Sequence, residues 1–251
     1  MEEQMHYIVK GKGEKTLLLL HGWGGSHASM MPLIDSLSDT YRCIAPDFYG
    51  HGQTSAEHVY FLHDFVDGVK RILEKEGAEQ VVVIAHSFGG RVALELALEQ
   101  RIKALVIMDG AGVKPRPTLK RLARKCKYRL KKLLRRDLSD CGSPDFRALS
   151  PLMKRTFVNI VNTYQDDALC GIKKPVLLIW GKKDRDTPPY MAHKMHKRIK
   201  NSRLVMLEGG HFCYLDEVNK TLSLIRNFVN GVFYGMGDRV CRRGGGGFII
   251  P

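Results

Sequence analysis

The feature that most constrains the fold is a series of short apolar runs separated by helical stretches. The clearest run, Val81–Ala85, is β-branched as far as Ile84, stops at Ser87-Phe88-Gly89-Gly90 and passes into the helical stretch Val92–Gln100. An uninterrupted apolar run is typical of a strand covered on both faces, as in a parallel sheet. Strands that alternate with helices predict an α/β fold with a mostly parallel central sheet flanked by helices. The other strand-like runs are Leu17–Leu20, Ile44-Ala45, Ala104–Met108, Val176–Trp180 and Arg203–Leu207.

Local patterns extend this prediction toward both ends of the chain. Tyr7–Lys10 is followed by Gly11-Lys12-Gly13 and then by Leu17–Leu20, a spacing that predicts a β-hairpin feeding a buried strand. Apolar residues at helical spacing predict helices over about 62–75 and 222–229. With 251 residues, the chain is long enough for one large domain that carries an insertion.

The insertion is identified by its charge. The chain has a net charge of +14, and the segment 113–150 alone holds 13 Lys and Arg residues against 3 Asp. Over 113–171 there is no strand-like run, but 119–134 shows an amphipathic, basic helical pattern and Ser150–Asn162 shows a second helix. We predict that 1–112 and 172–230 form the core, that 113–171 form a basic helical cap, and that the Gly-rich residues 231–251 form a flexible tail.

The location and the redox state follow from what the sequence lacks. The first residues, Met1-Glu2-Glu3-Gln4, are acidic, so we expect no secretory signal. The apolar runs reach only about five residues, so we expect no membrane span. We therefore expect a cytoplasmic protein. The six cysteines lie far apart without metal-ligand spacing, which predicts reduced thiols.

A candidate nucleophile lies at the turn after Val81–Ala85. Ala85-His86-Ser87-Phe88-Gly89 places a serine between a strand and a helix, with small residues two positions away on either side. A serine on such a tight turn is held in a strained conformation that exposes its hydroxyl. The less specific interpretation is an ordinary strand-to-helix turn capped by Ser87.

A serine hydroxyl needs a base, which is usually a histidine oriented by a carboxylate. Asp184 follows the run Val176–Trp180, and His211 follows the run Arg203–Leu207. Because all three residues come after strands, they can meet at the carboxyl edge of the sheet. The order Ser87, Asp184, His211 is that of strand–turn–helix serine hydrolases.

With these residues in place, the chain resembles the α/β-hydrolase superfamily, in its small esterase-like branch with a helical cap. His21-Gly22-Trp23-Gly24-Gly25 resembles the oxyanion loop of that family, and the segment from Asp47 to Thr54 resembles its D-x-x-G-H-G-x-S segment, with Thr54 where Ser is usual. The motifs cover about 1–230 and leave out the insertion and the tail.

The resemblance implies one role for each matching residue. Ser87 corresponds to the nucleophile, His211 to the general base and acid, and Asp184 to the carboxylate that orients it. The backbone N–H groups of Trp23 and Phe88 correspond to the oxyanion hole. The supporting loop consists of His21, Gly22 and Gly24, whose glycines allow a close approach. No metal and no cofactor is required.

Other residues compete for these roles. Asp109 follows Ala104–Met108 and is the alternative acid, as it is in some relatives, whereas Asp186 is a weaker candidate. We expect His86 to pack or line the pocket. We expect His21 and His51 to hold loops, and the pair His193 and His196 to lie on a solvated helical face rather than at a metal.

The sequence therefore predicts a serine hydrolase that cleaves a small-molecule carboxylic ester through an acyl-enzyme on Ser87. The alternatives are a thioesterase or carbon–carbon bond hydrolase with the same triad, and a non-enzymatic small-ligand receptor or signalling protein.

The basic cap is interpreted as a solvated helical face, or else as a surface with weak attraction for anionic substrates or an anionic membrane. We expect no nucleic-acid partner, because no recognised nucleic-acid fold is present. The sequence does not indicate an oligomeric state.

Overall fold

The computed structural model describes residues 3–117 and 144–235. The strands are β1 (Tyr7–Lys10), β2 (Thr16–Leu20), β3 (Arg42–Pro46), β4 (Val81–His86), β5 (Ile102–Met108), β6 (Val176–Gly181) and β7 (Ser202–Leu207). The α-helices are α1 (Met31–Leu37), α2 (Leu62–Lys75), α3 (Phe88–Leu96), α4 (Pro144–Ala148), α5 (Pro151–Asn162), α6 (Tyr190–Arg198), α7 (Cys213–Asp216) and α8 (Val218–Tyr234). Two 3₁₀ turns occupy His27–Met30 and Ala168–Gly171.

The strands form one sheet in the order β1-β3-β2-β4-β5-β6-β7. Every neighbouring pair is parallel except β1 and β3, which run antiparallel at one edge. The predicted mostly parallel α/β sheet is confirmed. Because the central strands are covered on both faces, β2, β4 and β6 are buried along their whole length.

The sheet separates two apolar layers, and alternate residues of each strand contribute to one or the other. In β2, Leu18 and Leu20 face the layer built from α2, α3 and α6. Leu17 and Leu19 face the opposite layer, which is built from α1 and α8. This arrangement leaves the carboxyl ends of the parallel strands uncovered by the two helical layers, and there they can carry a site.

The predicted hairpin between β1 and β2 is wrong. β1 pairs with β3, with Tyr7 opposite Pro46, and β2 lies on the far side of β3. The glycines that suggested a tight turn have another use: Gly11 has φ of +85°, and a Cβ there would collide with the carbonyl oxygen of Tyr41. The segment 11–15 therefore crosses over the start of β3, and only glycine permits that close approach.

The excursion between β5 and β6 contains the described part of the predicted cap. Helix α5 begins where the sequence predicts it, and the Ser150 hydroxyl accepts a hydrogen bond from Met153 N at 3.2 Å as its N-cap. The two ends of the excursion are bound to each other, because Gln165 N donates to Gly112 O at 2.9 Å and Lys114 N donates to Asp166 Oδ2 at 2.8 Å. The basic helix predicted within 119–134 lies outside the described residues.

Helix α5 packs on the core through Ile160 and is hydrogen-bonded to the backbone of Tyr60. Tyr60 N donates to the Thr156 hydroxyl at 3.1 Å, and the Asn159 side-chain amide donates to Tyr60 O at 3.3 Å. Phe157 on the same helix contacts Trp23, with ring centroids 5.1 Å apart. The described part of the excursion therefore packs directly on the candidate oxyanion loop.

The predicted start of the tail at residue 231 lies inside α8. Helix α8 continues to Tyr234, and Val232 and Phe233 pack against the layer of α1 and α8. The helix ends at Gly235, whose left-handed conformation (φ 65°) is typical of a helix terminus. Residues 236–251 lie outside the described residues. Among the helices that are described, none has the length and apolar character needed to cross a bilayer.

Candidate active site

Ser87 occupies the turn between β4 and α3 in a strained backbone conformation. Its φ is 50° and its ψ is −110°, a region that non-glycine residues rarely adopt. Neighbouring glycines make the turn sterically feasible: a Cβ on Gly89 would lie 2.5 Å from Leu20 O, and one on Gly22 would lie 3.2 Å from the Ser87 Cβ. The small residues of the motif are therefore required by the close passage of the chain.

The structure brings the three residues of the predicted triad together. The distance from Ser87 Oγ to His211 Nε2 is 2.8 Å, and that from His211 Nδ1 to Asp184 Oδ2 is 3.0 Å. These residues are separated by up to 124 positions in the chain. Since an ionised carboxylate only accepts, Nδ1 carries the ring proton and Nε2 is free to accept the serine proton.

Asp184 is oriented by other groups besides His211. Its Oδ1 accepts the backbone N–H groups of Asp186 (2.8 Å) and Thr187 (3.0 Å), and its Oδ2 accepts the Thr187 hydroxyl (2.6 Å). Burial pushes the pKa of Asp184 up, but the hydrogen bonds from His211 and Thr187 outweigh it and hold the pKa below its usual value. The carboxylate is thus anionic and fixed in one orientation at neutral pH.

Thr187 is a part of the site that the sequence analysis missed. Besides Asp184, its hydroxyl contacts Asp109 O at 2.9 Å and lies 3.4 Å from His211 Nδ1. The signal was available, because Asp-x-x-Thr after a strand is a spacing at which a side-chain carboxylate accepts local N–H and O–H groups.

His211 carries opposing influences on its own pKa. Burial lowers the pKa, whereas the hydrogen bond and the negative charge of Asp184 raise it, and the net direction is upward. The Asp184 carboxylate therefore stabilises the imidazolium that would form when the His211 ring accepts a proton.

The two candidate oxyanion donors are the backbone N–H groups of Trp23 and Phe88. Phe88 is the first residue of α3, so its N–H has no acceptor within the helix. Within the described part of the chain, the N–H groups of Phe88 and Trp23 donate to no protein group. Their rings are in edge-to-face contact, with centroids 5.5 Å apart.

His21 is hydrogen-bonded both to the candidate oxyanion loop and to the segment after β3. Its Nδ1–H donates to Gly22 O at 2.7 Å, and its Nε2 accepts Phe48 N–H at 3.1 Å. Burial lowers the pKa of His21 to about 4, so the ring is neutral and both bonds fit one tautomer. Gly24 has φ of +77°. His51 Nδ1 lies 2.9 Å from Tyr49 O, a hydrogen bond within the loop that follows β3.

Asp109, the alternative acid, is engaged elsewhere. Its Oδ1 accepts Gly181 N–H at 2.8 Å and its Oδ2 accepts the Cys213 thiol at 3.0 Å. Burial raises its pKa to about 7. The hydrogen bond to His211 Nδ1 is made by Asp184, so the geometry favours Asp184 as the orienting carboxylate. Asp186 is exposed, donates its backbone N–H to Asp184, and has a carboxylate oxygen within 4.8 Å of ligand atoms of Asp184 and His211.

His86 has a more specific place than packing alone. It is 2% exposed, and its Nε2–H donates to the carbonyl oxygen of His211 at 2.7 Å. Burial lowers the pKa of His86 to about 3, so it is a neutral donor. The residue before the nucleophile is therefore bound to the backbone of the candidate base. His193 and His196 form no metal-ligand group with a third side chain among the described residues.

The chain is similar to known proteins in sequence and in fold. Residues 15–159 match a family model described as the alpha/beta hydrolase fold, and residues 158–231 match one described as TAP-like protein. A proline iminopeptidase of Saccharolobus solfataricus is 26% identical, over 90% of this chain and 88% of the relative. A pimeloyl-(acyl-carrier protein) methyl ester esterase of Neisseria meningitidis serogroup A is 25% identical, over 87% of this chain and 78% of the relative. An esterase from Exiguobacterium antarcticum superimposes with a TM-score of 0.74 at 20% identity, over 90% of this chain and 95% of that chain.

Proposed function

This chain belongs to the alpha/beta-hydrolase family, and from that premise we propose that it is a serine hydrolase that cleaves a carboxylic ester through an acyl-enzyme on Ser87. The observation that carries the proposal is the continuous hydrogen-bonded series of Ser87, His211 and Asp184 at the carboxyl edge of the sheet. The family and its relatives support hydrolysis in general, and the triad geometry supports a serine nucleophile.

The first half of the reaction forms the acyl-enzyme. Ser87 Oγ attacks the ester carbonyl carbon while His211 Nε2 takes the hydroxyl proton. The oxygen of the tetrahedral intermediate becomes negative and is stabilised by the N–H groups of Trp23 and Phe88. When the carbon–oxygen bond to the alcohol breaks, His211 gives its proton to the departing oxygen, and the acyl group stays on Ser87.

The second half releases the acid. Water attacks the acyl carbon while His211 removes one of its protons, and a second tetrahedral intermediate uses the same two N–H groups. Its collapse breaks the bond to Ser87 Oγ, which regains its proton from His211. Asp184 keeps its negative charge throughout and stabilises the imidazolium at each stage.

The surroundings of the oxyanion loop favour an apolar group on the substrate. Trp23 contacts Phe157 of α5, which in turn contacts Phe146 of α4, with centroids 5.1 and 5.5 Å apart. These rings present apolar area close to the nucleophile turn. Water-poor surroundings also strengthen the hydrogen bonds that stabilise the oxyanion.

The test is the hydrolysis of a short p-nitrophenyl ester by the wild type and by Ser87→Ala. We expect the substitution to reduce kcat to the residual level left by the oxyanion hole and binding, a loss on the order of 10⁶-fold at most. A fluorophosphonate probe should label the wild type and not the variant. Equal ester turnover by the two proteins would contradict the proposal, and labelling of Ser87 without turnover of any ester, thioester or amide would favour the receptor alternative.

A further inference from the structure

Three segments outside the candidate active site bring metal-ligating atoms together. His6 Nδ1 lies 3.0 Å from Asp47 Oδ2, and His27 Nδ1 lies 2.9 Å from Asp47 Oδ1. The two imidazole rings are 5.4 Å apart between centroids. When one ligand atom is taken from each residue, the three atoms lie within 4.8 Å of one another. His6 precedes β1, His27 opens a 3₁₀ turn and Asp47 follows β3, so the cluster joins distant parts of the sequence.

The protonation states available to this cluster suit a cation. Within residues 3–117 and 144–235, the Nε2 atoms of His6 and His27 have no hydrogen-bond partner, so each ring can carry its proton there and expose the Nδ1 lone pair. Asp47 is held in place independently, because its oxygens also accept the backbone N–H groups of His27 (2.7 Å) and Gln53 (3.0 Å). Such backbone bonds are what orient a ligating carboxylate.

The spacing also suits coordination. Imidazole nitrogens and carboxylate oxygens bind these ions at about 2.0–2.2 Å, so two ligands of one ion lie about 3.0 Å apart at octahedral right angles and about 3.4 Å apart at tetrahedral angles. His6 Nδ1 and His27 Nδ1 lie 3.0 and 2.9 Å from the two different oxygens of Asp47, which is close to the octahedral separation. Asp47 is fully buried, whereas the His6 and His27 side chains are 32% and 18% exposed, so an ion can enter from the histidine side.

We propose that His6, His27 and Asp47 form a binding site for a divalent transition metal ion of the zinc, cobalt or nickel type, with water completing the coordination. Imidazole is a common ligand of zinc and nickel, and two histidines with one carboxylate hold zinc in some enzymes. The competing interpretation is that the two histidines only donate hydrogen bonds to the buried carboxylate and bind no ion.

An ion at this position would connect to the active-site loop through two residues. Phe48, the neighbour of Asp47, donates its N–H to His21 Nε2, and His21 binds Gly22 O. The ion would therefore link the segment before β1, the 3₁₀ turn and the loop after β3 next to the oxyanion loop. Its role is structural, because none of the three ligands belongs to the triad.

The experiment is a titration of the full chain with Co²⁺ after treatment with a chelator, followed by its visible absorption. We expect one equivalent to bind, with weak bands from nitrogen and oxygen ligands and without the intense charge-transfer band of a thiolate. His6→Gln and His27→Gln should each raise the Kd about 100-fold or more. His63→Gln, at a histidine whose side chain is 71% exposed, is the matched control and should leave the Kd unchanged.

A second measurement covers variants that do not fold. In the wild-type protein, Co²⁺ should broaden the imidazole NMR resonances of His6 and His27 before those of the other histidines. The absence of saturable binding, a thiolate band, broadening elsewhere first, or a Kd that either His6→Gln or His27→Gln leaves unchanged would overturn the proposal in favour of hydrogen bonds alone.

Discussion

The hydrogen bond between His86 and the backbone of His211 can be tested by a single substitution. His86→Leu keeps the approximate size of the side chain and removes the Nε2–H that donates to His211 O at 2.7 Å. His86→Gln is the matched control, because its amide nitrogen lies about where Nε2 lies. Both variants keep Ser87, His211 and Asp184.

The expected magnitude follows from what the bond restrains. Leaving a poorly solvated carbonyl without its donor costs about 1–3 kcal/mol, and a reacting group displaced by about 1 Å loses about 100-fold in rate. Since about 1.4 kcal/mol corresponds to a factor of ten, we expect His86→Leu to lower kcat by about 10- to 100-fold. His86→Gln should recover most of this loss.

The pH profile separates positioning from general damage. The pKa of His86 is about 3, so the ring is uncharged in the assay and its removal takes away no charge from His211. If the His211 ring moves away from Asp184, the influence that raises its pKa weakens while burial still lowers it. The acid limb of kcat/KM should therefore move to lower pH in His86→Leu.

The measurements are kcat, KM and the pH profile for a p-nitrophenyl ester, with the Tm recorded to confirm folding. A folded His86→Leu protein whose kcat and acid limb both equal those of the wild type would refute the role of this bond. A reduced Tm with unchanged kinetics would have the same meaning, since it would show a contribution to stability alone.

Three further predictions concern neighbouring groups. Asp184→Asn should lower kcat by about 10⁴-fold, because the amide favours the wrong tautomer of His211, and activity within tenfold of the wild type would point to Asp109 instead. Asp109 has a pKa near 7 when folded against 3.8 when free, so the folded state binds the extra proton, and its contribution to stability is present at low pH and is lost as the pH rises through 7. Asp109→Asn should abolish that loss of stability with rising pH, as measured by urea unfolding. A variant with the same pH dependence as the wild type would contradict the prediction. Gly89→Ala should lower the free energy of unfolding by about 1–3 kcal/mol, because its Cβ would meet Leu20 O, whereas Gly171→Ala, with open space around it, should not.

The core of the fold was predictable because its signals are local. β4 and β5 appear as continuous apolar runs, and the sharp turn at Ser87 is visible from small residues at fixed offsets. Asp184 and His211 could be placed because each follows a buried run, and strand ends in a parallel sheet meet at one edge. The pairing of β1 with β3 was not predictable, since the choice of neighbour depends on contacts across the whole sheet.

The sequence also did not indicate which side chains form hydrogen bonds with backbone atoms. His86 reaches the carbonyl of His211, an atom that every residue possesses, so no side-chain pattern marks it. The end of α8 was misplaced because Gly231 lies inside the helix, where Val232 and Phe233 supply enough apolar contact to continue it.

The paired ends of the excursion between β5 and β6 have an evolutionary consequence. Gly112 and Lys114 are bound directly to Gln165 and Asp166, so the chain leaves and re-enters the core through one narrow neck. Whatever lies between those points can be lengthened, shortened or exchanged without changing the distance that the core must bridge. Ser87, Asp184 and His211 all lie outside the neck, so changes within the excursion can alter the substrate preference while these three residues are kept, provided that the contact of Phe157 with Trp23 is preserved.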